Sequence, residues 1–142
     1  MVQQLSVFVQ NKAGKLAAIT KALAEAGIDL RAMSIADTTD FGILRMLVSD
    51  IGQARAVLAE QHCIASATEV TVVAVPDEPG GLARVLGLLA GAKIDIEYMY
   101  SLIGRGESRA YMVFRVSDGK ALHRVLAENG LQTVSCEELG IC

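Results

Sequence analysis

Tryptophan is absent from this 142-residue chain, and Phe and Tyr together make up only 4% of it. Without clustered aromatic faces there is no platform on which unstacked bases could lie. Basic residues are few as well: 13 Lys and Arg stand against 16 Asp and Glu, for a net charge of −3. They are spread along the chain and give no electrostatic footprint for a phosphate backbone, so nucleic acid is set aside as a partner. Cysteine is sparse and odd in number, at Cys63, Cys136 and Cys142. The three supply neither a disulfide framework nor a CxxC metal or redox motif. The expectation is reduced thiols, with Cys63 and Cys136 as ordinary strand residues. No apolar run approaches the roughly 20 residues a spanning helix needs. The start, "MVQQLSVFVQ", lacks the basic segment, apolar core and cleavage site of a leader. A soluble, cytoplasmic chain with no membrane partner is expected.

What the chain does have is apolar material, 52% hydrophobic residues against 20% charged ones. That is enough to offset the ordering entropy of a compact fold, either one ordinary domain or two very small ones. The choice between them comes from a repeat. "QNKAGKLAAITKALAEAGIDL", residues 10–30, reads much like "PDEPGGLARVLGLLAGAKIDI", residues 76–96. Placing Gly14 on Gly80, an offset of 66, matches Leu16 with Leu82, Ala17 with Ala83, Leu23 with Leu89, Ile28 with Ile94, Asp29 with Asp95 and Met33 with Met99. Further on, the offset is 68: "VSD" at 48–50 meets "VSD" at 116–118, and "VLAE" at 57–60 meets "VLAE" at 125–128. Two extra residues around "IGRGES" account for the change, and the chain is a duplication.

Periodicity resolves each half. "LSVFV" and "VTVVAV" are short β-branched runs that stop at Asn11 and at Pro76-Asp77, as strands do. Leu16, Ile19, Leu23 and Ala26, and then Leu82, Val85, Leu86 and Leu89, form one helical stripe per half. Hairpin-like pairs follow, "IDLRAMSIA" with "ILRMLVS" and "IDIEYMYSLI" with "RAYMVFRVS". A second helix begins after Asp50 or Asp118, each placed to accept from its first amides. A last strand must come from "CIASATEVTVVAV", which also opens the second half, and from "LQTVSCEEL". The order β-α-β-β-α-β, twice over, predicts an α+β fold of two tandem ferredoxin-like units, residues 1–68 and 69–142, with antiparallel sheets and helices on one face. Sheet edges left over predict pairing of the two copies and a homodimer.

The glycine turn that leads into the first helix of each half leaves the earliest backbone N–H groups unpaired at the positive end of the helix dipole, a cradle for a carboxylate or phosphate. In "NKAGKL", Gly14 allows close approach, the amides of Lys15 and Leu16 are the expected donors, and the Asn11 side chain offers one donor and one acceptor. In "DEPGGL", Gly80 and Gly81 take the same part before Leu82, and Asp77 supplies a carboxylate. An α-amino acid needs donors for its carboxylate and acceptors for its ammonium, and both turns hold both.

The pattern Asn/Asp-x-x-Gly-x-Leu-Ala, then Leu-Ala, then Ile-Asp and a strand, resembles the ACT domain, a small ligand-binding module that regulates amino-acid metabolism. The likeness covers both halves. With "DFGILR" and "IEYMYS" it is similar to stand-alone tandem-ACT proteins of bacteria, a group often compared with the small regulatory subunit of acetolactate synthase. The resemblance implies an amino-acid effector held at module interfaces by Asn11, Gly14, Lys15 and Leu16 in one copy and by Asp77, Gly80, Gly81 and Leu82 in the other. Ile35, Asp37 and Tyr100 are candidates for the far wall. It also implies modulation of a partner enzyme of amino-acid metabolism, with no cofactor. A ligand-independent subunit that binds an enzyme through a sheet edge or a helix face is the competing reading.

The remaining candidates read as structural. Met33, Met46, Met99 and Met112 fall in strands, where packing is the expected role. His62 and His123 lack a second ligand at metal spacing, so no metal site is predicted. Asp29 and Asp95 are expected to satisfy local backbone groups. Ser34, Ser101 and the cysteines have no base-and-orienter arrangement in sequence, and a catalyst is not expected.

Overall fold

Alternating apolar residues make a strand of Val2–Gln10 (β1), because Leu5, Val7 and Val9 then share one face; in the computed structural model all three are buried. The structure describes the whole chain except residues 11, 38–39 and 104–108, together with the side chain of residue 37. The "GRGES" loop therefore lies outside the described residues. After β1 come α1 (Lys15–Glu25), β2 (Leu30–Asp37), β3 (Phe41–Val48), α2 (Ile51–Glu60), β4 (Ile64–Pro76), α3 (Gly81–Gly91), β5 (Ile96–Ser101), β6 (Arg109–Val116), α4 (Gly119–Glu128) and a short α5 (Cys136–Leu139). Among the described residues no helix is long and apolar enough to cross a membrane.

The chain forms two compact units, Gln3–Thr68 with Cys136–Cys142, and Met1–Val2 with Glu69–Ser135. The division falls inside β4, a single strand of 13 residues. Each terminus belongs to the unit built mainly from the other half of the sequence. In the first unit β3 pairs antiparallel with both β1 and β2, and the opening residues of β4 lie beside β1, where Ser6 Oγ and Thr68 Oγ1 approach to 3.4 Å. Helices α1 and α2 cover one face: Ile19, Leu23, Ala54 and Leu58 close on Leu5, Val7, Leu44 and Met46. Burying a side chain such as Leu23 contributes roughly 1.5–3 kcal/mol.

The second unit repeats the plan. β6 pairs antiparallel with β4 and β5. Val85, Leu89, Leu122 and Leu126 of α3 and α4 pack on Val73, Val75, Phe114 and Val116. Both units are thus ferredoxin-like, α+β, with helices on one face. The final strand is shorter than its sequence indicates. Residues 132–134 make only a bridge to β4, with Ala74 N–H donating to Gln132 O at 3.1 Å and Val134 N–H to Val72 O at 2.8 Å. The chain then turns helical at Cys136, where Glu137 and Glu138 sit in the favourable first turn. Cys136 is therefore helical rather than in a strand, and it is bonded to Cys142. Cys63 is a free, buried thiol in the connection between α2 and β4.

Every helix leaves through the same device. After α1, Gly27 at φ 72 lets its own N–H reach Ala24 O (3.0 Å) and the N–H of Ile28 reach Leu23 O (2.9 Å). This pair of hydrogen bonds closes open carbonyls of the last turn and folds an apolar residue back over it. Gly130 does the same after α4. The matching positions in the other copies are His62 (φ 58) and Lys93 (φ 56), where an L side chain occupies left-handed backbone. Replacing either by glycine should raise the unfolding free energy by roughly 0.5–1 kcal/mol, the left-handed penalty less the larger entropy glycine loses. Urea midpoints for His62→Gly and Lys93→Gly, with Gly27→Ala moving the opposite way, check this.

Candidate functional site at the strand–helix corners

Among the described residues, the corners before α1 and α3 share their glycine dihedrals and their backbone hydrogen bonds. Gly14 has φ 82 and ψ −9, and Gly80 has φ 88 and ψ −9. In the first, Lys12 N–H donates to Gln10 O (2.9 Å), Lys15 N–H to Lys12 O (3.2 Å) and Ala18 N–H to Gly14 O (3.0 Å). In the second, Glu78, Gly81 and Arg84 repeat these bonds at 2.9, 3.1 and 3.0 Å. The amide of Lys15 thus closes the turn and is not a donor to a ligand. The N–H groups that precede the first helical bond are those of Leu16 and Ala17, with Leu82 and Ala83 in the second copy. Sequence reasoning missed the alanines because it counted from the glycine as a loop residue; with glycine as N-cap, the donors move on by one.

Among the described residues, neither corner is capped by a side chain, the N-cap being glycine in both. The other two long helices are: Asp50 Oδ1 accepts from Gln53 N–H at 2.9 Å, and Asp118 Oδ1 from Ala121 N–H at 3.0 Å. A Cβ added at Gly14 or Gly80 would meet nothing within 4 Å, so both corners are open. Among the described residues, two helix starts are thus filled by a carboxylate of the chain and two are left without one.

The two open corners differ in their surroundings. In the first unit, Lys12 is exposed and Lys15 half-buried, its Nζ donating to Gln61 O at 3.3 Å at the carboxyl end of α2. Leu16 is 38% exposed and Ile35 49%. Ile35 stands opposite Leu44 and against Gly42, on the helix-bearing face and toward the end where β1 gives way to the turn. Asn11 and the side chain of Asp37 lie outside the described residues. In the second unit the corner bears exposed Asp77 and Glu78, Leu82 is half-buried, and the position matching Ile35 is Ser101. Tyr100 is buried and paired with Val113, on the face turned away from α3 and α4, so it is not brought to the Gly80 corner. Gly81 is a packing residue: a Cβ there would collide with the carbonyl of Pro76.

Outside the corners, the four strand methionines pack in or against the two cores. The backbones of Asp29 and Asp95 tie the helix exits to the next strands: Asp29 exchanges bonds with Ser49 (2.9 and 3.0 Å), its carboxylate also meeting Arg31, and Asp95 O accepts from Ser117 N–H at 3.1 Å. A cleft of about 340 Å³ lies beside Pro76, where Arg109 Nη1 donates to Gln132 Oε1 at 3.3 Å. His123, on α4, places Nε2 3.3 Å from Thr71 Oγ1. Burial, and secondarily the N-terminal ammonium, push its pKa below the ordinary 6.5.

Two outcomes follow from this geometry. Gly81→Ala should cost roughly 1–3 kcal/mol through the forced shift at Pro76, whereas Gly87→Ala, inside α3 with nothing within 4 Å of the new methyl, should gain up to about 1 kcal/mol. Paired denaturation curves separate them. Because the folded pKa of His123 lies below its unfolded value, its contribution is fully present above about pH 6.5 and is lost as pH falls through the folded pKa. Denaturant midpoints recorded between about pH 7.5 and 5 should drop less steeply for His123→Gln than for the parent.

Comparison with known proteins follows the same lines. The family described as an ACT domain pair matches residues 1–141. A solved protein of Bacteroides thetaiotaomicron is 38% identical, with a TM-score of 0.90 over 99% of this chain and 96% of its own. The ligand-free regulatory subunit of aspartate kinase from Thermus thermophilus is 19% identical, with a TM-score of 0.63 over 89% and 91% of the two chains. Its counterpart from Thermus flavus is 18% identical, with a TM-score of 0.57 over 90% and 92%. At those identities the likeness is one of fold. No curated protein sequence matches the chain. Two in-register βαββα frames with paired glycine corners, matched from end to end by one family, make the chain a member of the ACT domain pairs.

Proposed function

We propose that the protein is a regulator that senses an amino acid through the Gly14 corner and passes the signal to a partner enzyme of amino-acid metabolism. The observation that carries this is the contrast among helix starts: α2 and α4 are capped by Asp50 and Asp118, while among the described residues no side chain caps the amides of α1 and α3. A carboxylate at Leu16 and Ala17 N–H would complete the missing cap and gain from the helix dipole. Charge favours the first corner over the second, since Lys12 and Lys15 attract a carboxylate that Asp77 and Glu78 would repel. Half-exposed Leu16 and Ile35 give an apolar side chain somewhere to rest, which selects aliphatic amino acids over acidic ones. The ACT domain pair family, and the aspartate kinase regulatory subunits among its structural neighbours, support a regulatory part for the chain rather than a catalytic one.

Binding that favours one assembly over another, including a homodimer, would change the activity of the partner, and the partner would change amino-acid affinity by the same factor. Calorimetry against each of the twenty amino acids is expected to give heat for at least one aliphatic member. Gly14→Val should abolish that heat while Gly80→Val leaves it, with helix content unchanged by circular dichroism in both. No heat from any amino acid would sink the reading. A ligand-independent docking role has its own observation in Phe8 and Phe41, half-exposed with ring centroids 5.3 Å apart on the helix-free face of the first unit. Capture of a partner that is lost in a Phe8→Ser, Phe41→Ser double variant and indifferent to amino acids would favour it.

A further inference from the structure

Nothing in a Cys-x5-Cys spacing brings the two sulfurs together, since an extended segment from residue 136 to 142 would hold its ends about 20 Å apart. The backbone does it. Gly140, at φ 68, ends α5 as Gly27 and Gly130 end their helices, with its N–H on Glu137 O (3.1 Å) and the N–H of Ile141 on Cys136 O (3.0 Å). The fold-back returns position 142 to position 136, where the Cα atoms are 5.4 Å apart and the sulfurs are bonded. That separation lies in the range a disulfide spans.

Three further features set this pair apart from a structural cross-link. The turn is anchored independently of the sulfurs, through Leu139 and Ile141, both buried. It is accessible: Cys142 is exposed and Cys136 half-buried, whereas Cys63 is sealed in the first unit's core. It also sits on a charged group, because Gly140 lies against the guanidinium of Arg31, so close that a Cβ would be 3.0 Å from Nη2. Arg31 bridges Asp29 Oδ2 at 3.3 Å and is only 18% exposed, and its buried Nε has no hydrogen-bond partner among the described residues. Exposed disulfides closed by short loops are the ones small thiols reach and exchange.

We propose that Cys136 and Cys142 form a thiol–disulfide exchange site whose co-substrate is a low-molecular-weight disulfide, RSSR, and whose closed form clasps the C-terminal turn over Arg31 at the start of β2. From the dithiol, Cys142 loses its proton to solvent and its thiolate attacks one sulfur of RSSR. The RS–SR bond breaks, one RS⁻ leaves, and a mixed disulfide remains on Cys142. Cys136, deprotonated in turn, attacks the Cys142 sulfur and expels the second RS⁻. Two protein thiols are oxidised by two electrons, one RSSR is reduced to two RSH, and the two protons released to solvent are taken up by the leaving thiolates. The reverse sequence frees Cys142 and loosens the closure over Arg31 at the start of β2, while buried Leu139 and Ile141 keep the turn seated. Cys63 takes no part.

The test equilibrates the reduced full-length chain with graded ratios of oxidised to reduced glutathione, quenches with a maleimide and weighs the products. The expected result is paired loss of two maleimide sites in a monomeric chain. Cys63 should remain unlabelled until denaturant is added, and amide exchange at Arg31 and Ala32 should be slower in the oxidised form. Cys136→Ser should instead accumulate one glutathione on Cys142. Gly140→Ala, which strains the left-handed turn, should shift the midpoint roughly tenfold toward oxidant. Thiols that all react alike, oxidation that links separate chains, or a midpoint untouched by Gly140→Ala would overturn the proposal.

Discussion

The chain reverses direction within two to four residues at both ends of α1, α2, α3 and α4, and the structure rests on how it does so. A helix lying on its own sheet must start beside the end of one strand and stop beside the start of the next. The backbone therefore leaves ordinary conformations at fixed places. Gly14 and Gly80 supply positive φ at the openings of α1 and α3, and Gly27, His62, Lys93, Gly130 and Gly140 supply it at the exits. Each exit lays the next residue over the core: Ile28, Cys63 and Ile94 are all buried as a result. Local backbone geometry and apolar packing are thus one event.

The same geometry leaves chemistry behind. A helix that starts from a left-handed glycine cannot draw a cap from that residue, and its amides stay open; a helix that starts from an extended aspartate closes itself. Duplication has kept this distinction in both halves while the side chains around it diverged. Lys12 faces the role that Glu78 holds in the second copy, and Ile35 the role of Ser101. One corner has become cationic with an apolar margin and the other anionic with a polar one.

Most of this architecture was legible in the sequence because it is carried by period and by punctuation. The strand alternation of β1, the stripes of α1 and α3, and Asp50 and Asp118 as caps all follow from residue type and spacing, and so does the ACT resemblance that the family match establishes. What could not be read depends on three-dimensional return. The residues "LQTVSCEEL" have strand character at one end and helix character at the other, and only the hydrogen bonds of Gly140 decide where one yields to the other. The pairing of Cys136 with Cys142 follows from that turn. Tyr100 was misplaced because the repeat offset matches it with Ser34, one residue before Ile35, and neighbouring strand residues face opposite ways. The amide of Lys15 was misread because turn closure uses it first.

The exchanged termini have a consequence for how the two halves can be inherited and handled. Leu139 and Ile141 are built into the unit whose other residues end at Thr68, while Val2 is built into the one that begins at Glu69. A gene cut at the repeat boundary would strip each product of buried side chains and hand it the other's ends. Excision, shuffling or circular permutation of a single repeat should therefore be poorly tolerated. The duplicated gene must travel through evolution whole, even though its sequence looks divisible in the middle.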